Sequence, residues 1–139
     1  MPESILVALN ISVAGGPKLA GPQTIGVDAY DKIKVNIEAG DANEDGEIEP
    51  VTKMVDVQPG AAGKVQFLFI NSDEFSTAAP DKKLNYKVNT MPTQIELDAP
   101  LLLVGDGAVS LLGEAPGKLT FTSTLGKPVN IEILVGRNV

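Results

Sequence analysis

The sequence predicts an all-β fold, an antiparallel β-sandwich of jelly-roll type with about ten short strands. Two observations carry this expectation. Apolar residues fall on alternate positions in one short segment after another, the period of a strand with one buried face. Glycine- and proline-rich turns separate these segments, which is how 14 Gly and 10 Pro fit an ordered chain of 139 residues. That length and a 43% hydrophobic content suit a single domain spanning residues 1–139.

Taken in order, the first segment places Ile5, Val7, Leu9, Ile11 and Val13 on one face. In Lys32-Ile33-Lys34-Val35-Asn36-Ile37-Glu38 the alternation is strict, where a helix would scatter the apolar positions. Further strands are expected over 51–57, 64–70, 84–88, 94–97, 101–104, 108–112 and 118–122. The last strand holds Val129, Ile131, Ile133 and Val135 on one face. Between them lie Gly15-Gly16-Pro17, Gly21-Pro22, Gln58-Pro59-Gly60, Gly105-Asp106-Gly107, Ala115-Pro116-Gly117 and Gly126-Lys127-Pro128. The Gly105 turn reads as a tight hairpin between two apolar strands. No segment combines a helical period with caps.

Composition excludes several classes of chemistry. There is no Cys, which removes disulfides, thiolate catalysis and thiolate metal sites. There is no His, so the usual neutral-pH general base and the commonest transition-metal ligand are missing. Arg137 is the only arginine and the formal net charge is −7, which argues against a nucleic-acid partner. No stretch is long enough to cross a bilayer as a helix, and no signal peptide is visible, because Glu3 stands where positive charge is expected. The expected location is cytoplasmic or particle-associated.

Gly40-Asp41-Ala42-Asn43-Glu44-Asp45-Gly46-Glu47-Ile48-Glu49-Pro50 matches the first eight positions of a helix-flanked calcium loop: oxygens alternate, a glycine makes the bend and an aliphatic residue anchors it. The match fails at the twelfth position, where Thr52 replaces the bidentate carboxylate, and at the tenth, where Pro50 falls. Strands, not helices, flank it. Two readings follow: a long acidic hairpin loop between Ile37 and Val51, or a Ca²⁺ site using Asp41, Asn43, Asp45, the Glu47 carbonyl and Glu49. No other cofactor is implied. The remaining acids form no carboxylate pair beside aromatic platforms of the kind a glycosidase needs.

Several late strands are apolar on both faces: Leu101-Leu102-Leu103-Val104, Val109-Ser110-Leu111-Leu112 and Ile133-Leu134-Val135. Such a strand is either central in the fold or covered by another subunit. Leu102, Leu112 and Leu134 are therefore candidate contact residues. Phe75, in the polar loop Asn71 to Asp81, is a further candidate, with packing over the end of the core as the other reading. The sequence thus points to a non-enzymatic structural or interaction protein that forms a homo-oligomer or joins a larger, particle-like complex. The alternative is a calcium-stabilised module that binds a carbohydrate-type ligand; a carboxylate-dependent hydrolase comes third.

Overall fold

The computed structural model describes residues 3–12, 14–57 and 64–138. Among the described residues there are ten strands: β1 (Glu3–Ser12), β2 (Lys18–Val27), β3 (Ala29–Ile37), β4 (Val51–Asp56), β5 (Lys64–Ser72), β6 (Leu84–Val88), β7 (Ile95–Glu96), β8 (Leu101–Val104), β9 (Lys118–Ser123) and β10 (Val129–Asn138). They form a two-stranded ribbon, β1-β2, and two four-stranded sheets ordered β3-β10-β5-β8 and β4-β9-β6-β7. Every strand pairing described is antiparallel, in agreement with the all-β antiparallel expectation.

Period-two burial builds the core. Val129, Ile131, Ile133 and Val135 of β10 are buried while Asn130 and Glu132 between them are exposed. Leu84, Tyr86 and Val88 of β6 and Leu119 and Phe121 of β9 point inward in the same way. Both sheets contribute to one cluster, in which Ile37, Leu68, Ile70 and Ile133 meet Leu84, Leu119 and Phe121, all fully buried. Tyr86 and Phe121 supply a tilted ring pair with centroids 6.0 Å apart. Each fully buried Ile or Leu contributes about 1.5–3 kcal/mol through removal of its surface from water.

Two connections depend on single polar side chains. Asn89, at the end of β6, adopts φ +53°, a region that asparagine tolerates better than other non-glycine residues. Its Oδ1 accepts from the N–H of Gly117 (2.7 Å) and Lys118 (3.0 Å), and its Nδ2 donates to the Ala115 carbonyl (2.9 Å), fixing the entry to β9. Asp73, after β5, accepts from the backbone N–H and the side-chain Nδ2 of Asn130, both at 2.9 Å. Arg137, the single arginine, pairs with Asp31 across β10 and β3.

The structure corrects the sequence reading in three places. Residues 108–112 are not a strand, and Gly105-Asp106-Gly107 is not a tight hairpin before one: Asp106–Val109 forms one α-helical turn, α1, and Ser110–Leu112 a 3-10 turn. A five-residue run with four apolar positions satisfies either period, and here the three-residue spacing prevails, burying Val109 and Leu112 while Leu111 is 81% exposed. Second, Gly21-Pro22 is no turn between strands. It lies inside β2, opposite Leu9 and Ala8. A two-stranded ribbon is edge on both sides, so the missing proline N–H need not interrupt a ladder. Third, the acidic loop is not a hairpin between paired neighbours but a crossover from β3 in one sheet to β4 in the other. Val13 and the turn expected at Gln58-Pro59-Gly60 lie outside the described residues.

Ile133 is fully buried and faces the opposite sheet from the strand at the middle of its own. Truncation by Ile133→Ala is expected to lower unfolding stability by about 2–5 kcal/mol. Urea denaturation checks this; a loss below about 1 kcal/mol, outside the range for such truncations, would contradict the assigned core.

Candidate interaction surface

The ribbon β1-β2 forms an arm whose two faces differ. Register puts Ile5 opposite Ile25 and Leu9 opposite Gly21 on one face, which Val7 shares, with Leu6, Ala8, Asn10, Ala20 and Thr24 on the other. From Ser4 to Val27 the only charged residue is Lys18, in a chain that is 21% charged overall. Leu6 is 79% exposed and Leu9 42%. A two-stranded hairpin is marginally stable alone in water, so this arm depends on whatever covers its apolar face.

The base of the arm is seated on β10. A β-carbon added at Gly136 would stand 2.6 Å from Ile5 Cδ1 and 2.9 Å from Val27 Cγ1, closer than real contacts allow, so a larger residue would require these two side chains to shift. Val27 and Phe67 are consequently buried. Asp28 alone separates β2 from β3, and its N–H donates to the Arg137 carbonyl at 3.0 Å, extending the β3–β10 ladder into the arm.

Away from its base the arm and edge strand β8 leave an open groove of about 390 Å³. Val7, Leu9 and Ile25 line it from the arm, Leu102 and Val104 from β8, and Gly21 and Gly105 at its sides. No charged side chain lines it. Register across the sheet continues the apolar surface from Leu102 to Phe69 on β5 and Leu134 on β10.

Leu102 and Leu134 therefore share one row on the outer face of one sheet. Leu112 does not join them, because it is buried in the core cluster. Phe75 is half-buried and packs against that same cluster. The arm residues Leu6, Val7, Leu9 and Ile25 and their seat at Gly136 were not singled out by sequence. The available signal was the nearly uncharged run from Ser4 to Val27.

The acidic loop is organised by its own backbone. Asn43 Oδ1 accepts from the N–H of Asp45 and of Glu47, both at 2.9 Å. The Glu47 carbonyl accepts from the Asn43 N–H at 2.7 Å, and the Asp41 carbonyl from the Glu49 N–H at 2.8 Å. Gly46 takes φ +82° at the bend. Gly40 passes so close to the Glu49 carbonyl that a β-carbon would approach it to 2.1 Å. Asn43 is thus committed to an Asx-type turn. Asp41, Asp45, Glu47 and Glu49 are exposed, and among the described residues no three Asp or Glu side chains are grouped to hold a metal ion.

Two carboxylates elsewhere, Asp73 and Glu96, are perturbed by hydrogen bonds that serve the fold. Hydrogen bonds from the backbone and side chain of Asn130 hold the Asp73 carboxyl below its ordinary value. Glu96 is likewise lowered, first by its hydrogen bond from Lys83 (2.8 Å) and then by that from Ser76 Oγ (2.7 Å). No helix among the described residues is long and apolar enough to cross a membrane. No protein-family model matches the chain, and no curated protein matches it by sequence.

Because the folded state lowers the Asp73 pKa, its contribution to stability is fully present above the ordinary value of 3.8 and is lost as pH falls through the folded value. The melting-temperature difference between the wild type and Asp73→Ala is expected to stay constant from neutral pH down to about pH 5 and to shrink below the ordinary carboxylate range. A difference independent of pH throughout would contradict the assigned hydrogen bonds.

Proposed function

We propose that this chain is a non-enzymatic structural protein, a jelly-roll β-sandwich that self-assembles as a component of a larger, particle-like complex. The observation that carries the reading is the arm, whose uncharged apolar face and groove are covered only in part by their own chain. Apolar surface of this kind on a protein of net charge −7 marks an association site.

Strand order supports the sandwich. The pairs β5–β8 and β6–β7 are direct neighbours, β3 lies beside β10, and β4 beside β9. These four pairs are nested, as in one long hairpin rolled into two sheets, which is the winding of a jelly roll. Jelly rolls build capsid shells and lectins alike, so the fold by itself does not choose a role. The arm favours assembly. An apolar ribbon beside an edge strand suits contact with a protein surface better than recognition of a hydroxyl-rich sugar, for which polar groups and aromatic platforms are needed.

Light scattering on the full chain at micromolar concentration, with and without Ca²⁺, tests the reading. A mass that is a fixed multiple of 14.5 kDa in both conditions is the expected result. A single-chain mass throughout would overturn self-assembly, and a monomer whose thermal stability rises with Ca²⁺ would favour the calcium-stabilised binding module.

A further inference from the structure

The sheet β3-β10-β5-β8 ends in two strands that run in opposite directions, because three antiparallel steps separate β3 from β8. A second copy in the same orientation therefore sets its β3 antiparallel to the β8 of the first. We propose, on the self-assembly reading above, that copies join in this way: the outer edge of β8 pairs with the outer edge of β3 in a second copy, and Tyr30 of that copy enters the groove of Val7, Leu9, Ile25, Leu102 and Val104.

The two backbones match. Gly105 N–H donates to the Gln66 carbonyl at 2.7 Å, so by the alternation of an antiparallel ladder Leu101 and Leu103 also bond toward β5, while Leu102 and Val104 turn their N–H and C=O groups to the outer edge. Asp73 N–H donates to the Asn130 carbonyl at 3.1 Å, which assigns the even-numbered residues of β10 to β5 and the odd-numbered ones to β3. Tyr30, Lys32, Lys34 and Asn36 of β3 consequently face outward as well. Setting Leu102 beside Lys32 of the second copy puts Val104 beside Tyr30 and Leu101 beside Ile33, each residue meeting one on its own face. Leu101 and Ile33 are half-buried at opposite margins of the core, and the pairing brings them together. Tyr30 is 54% exposed and brings an aromatic ring to a groove with no charged lining. In strand addition of this kind main-chain bonds supply affinity and side-chain pockets supply specificity.

Charge selects this pairing over the two symmetric ones. The outer row of β3 is Tyr30, Lys32, Lys34 and Asn36, all exposed, so its only charges are two lysines. The stretch from Val88 to Gly117, which contains β8, has four carboxylates and no basic residue. Two β3 strands paired about Ile33 set Lys32 against Lys34, and two β8 strands paired about Leu102 set Asp98 against Asp106. Like charges directly opposite one another are destabilising. With β8 against β3, Lys34 instead stands beside Pro100, two residues from Asp98. The edges of the other sheet are blunted: β7 has two residues, and β4 turns Lys53 to the row of buried Phe121. Contacts between unlike surfaces generate a ring when the rotation closes, which gives a fixed mass.

The test is the mass by light scattering of four variants of the full chain beside the wild type: Leu102→Pro, Tyr30→Ser, Asp98→Lys, and Lys32→Glu combined with Lys34→Glu. Leu102→Pro removes an outward N–H and no ladder bond to β5. All these positions are exposed, and unchanged melting by circular dichroism at low concentration establishes that the variants fold. Each variant is expected to fall to the 14.5 kDa of one chain. An equimolar mixture of Asp98→Lys with the double lysine variant is expected to regain the wild-type mass, because each then meets opposite charge on the other. An oligomer that survives these substitutions, or a mixture that stays monomeric, overturns the edge pairing and leaves self-assembly standing. A monomeric wild type overturns both.

Discussion

The fold depends on where β10 lies. It is paired on one side with β3, the first strand of the two-sheet body, and on the other with β5. No local segment can form this sheet alone, because residues 29–37 find their neighbour only at residues 129–137. Such non-local pairing costs loop-closure entropy before it is rewarded by burial. The reward comes from one face of β10, where Val129, Ile131, Ile133 and Val135 enter the common core. Stability and topology therefore rest on the same four side chains.

The alternate residues of β10 give the strand its second role. Asn130 fixes the loop after β5 through Asp73, Leu134 continues the apolar row toward Leu102, and Gly136 admits the base of the arm. Because a strand turns successive side chains to opposite faces, one ten-residue segment both closes the core and shapes the outer surface. A one-residue slip would expose the aliphatic set and bury Asn130 and Glu132, so the core also fixes the register on which the outer surface depends. Core and candidate interaction surface are in this sense a single construction.

Much of this was legible in the residues. The strict alternation of β3 and β10 identified both element type and buried face, because each packs one face on a common core. The region from Gly105 to Leu112 was not, since a short apolar run fits a helical turn as well as a strand, and only the packing of Val109 and Leu112 against the core decides between them. The strand β2 was hidden by Gly21 and Pro22, which punctuate turns in most contexts and are tolerated here because the ribbon is all edge. Within the calcium-like spacing from Asp41 to Glu49, Asn43 and Gly46 serve the backbone of the turn itself. Of the candidate contact residues, Leu102 and Leu134 share an outer face while Leu112 is core. That distinction turned on the geometry of the helical turn, which the period could not reveal.

The arm has the sharpest consequence, because Leu6 on one of its faces and Leu9 on the other are exposed. Its hydrogen-bonded ladder should be stable only to the extent that something outside the chain covers it. Amide hydrogen exchange measured across a range of protein concentrations tests this directly. Protection of β1 and β2 is expected to rise with concentration while that of β9 and β10 stays constant. Protection of the arm that is independent of concentration would contradict it.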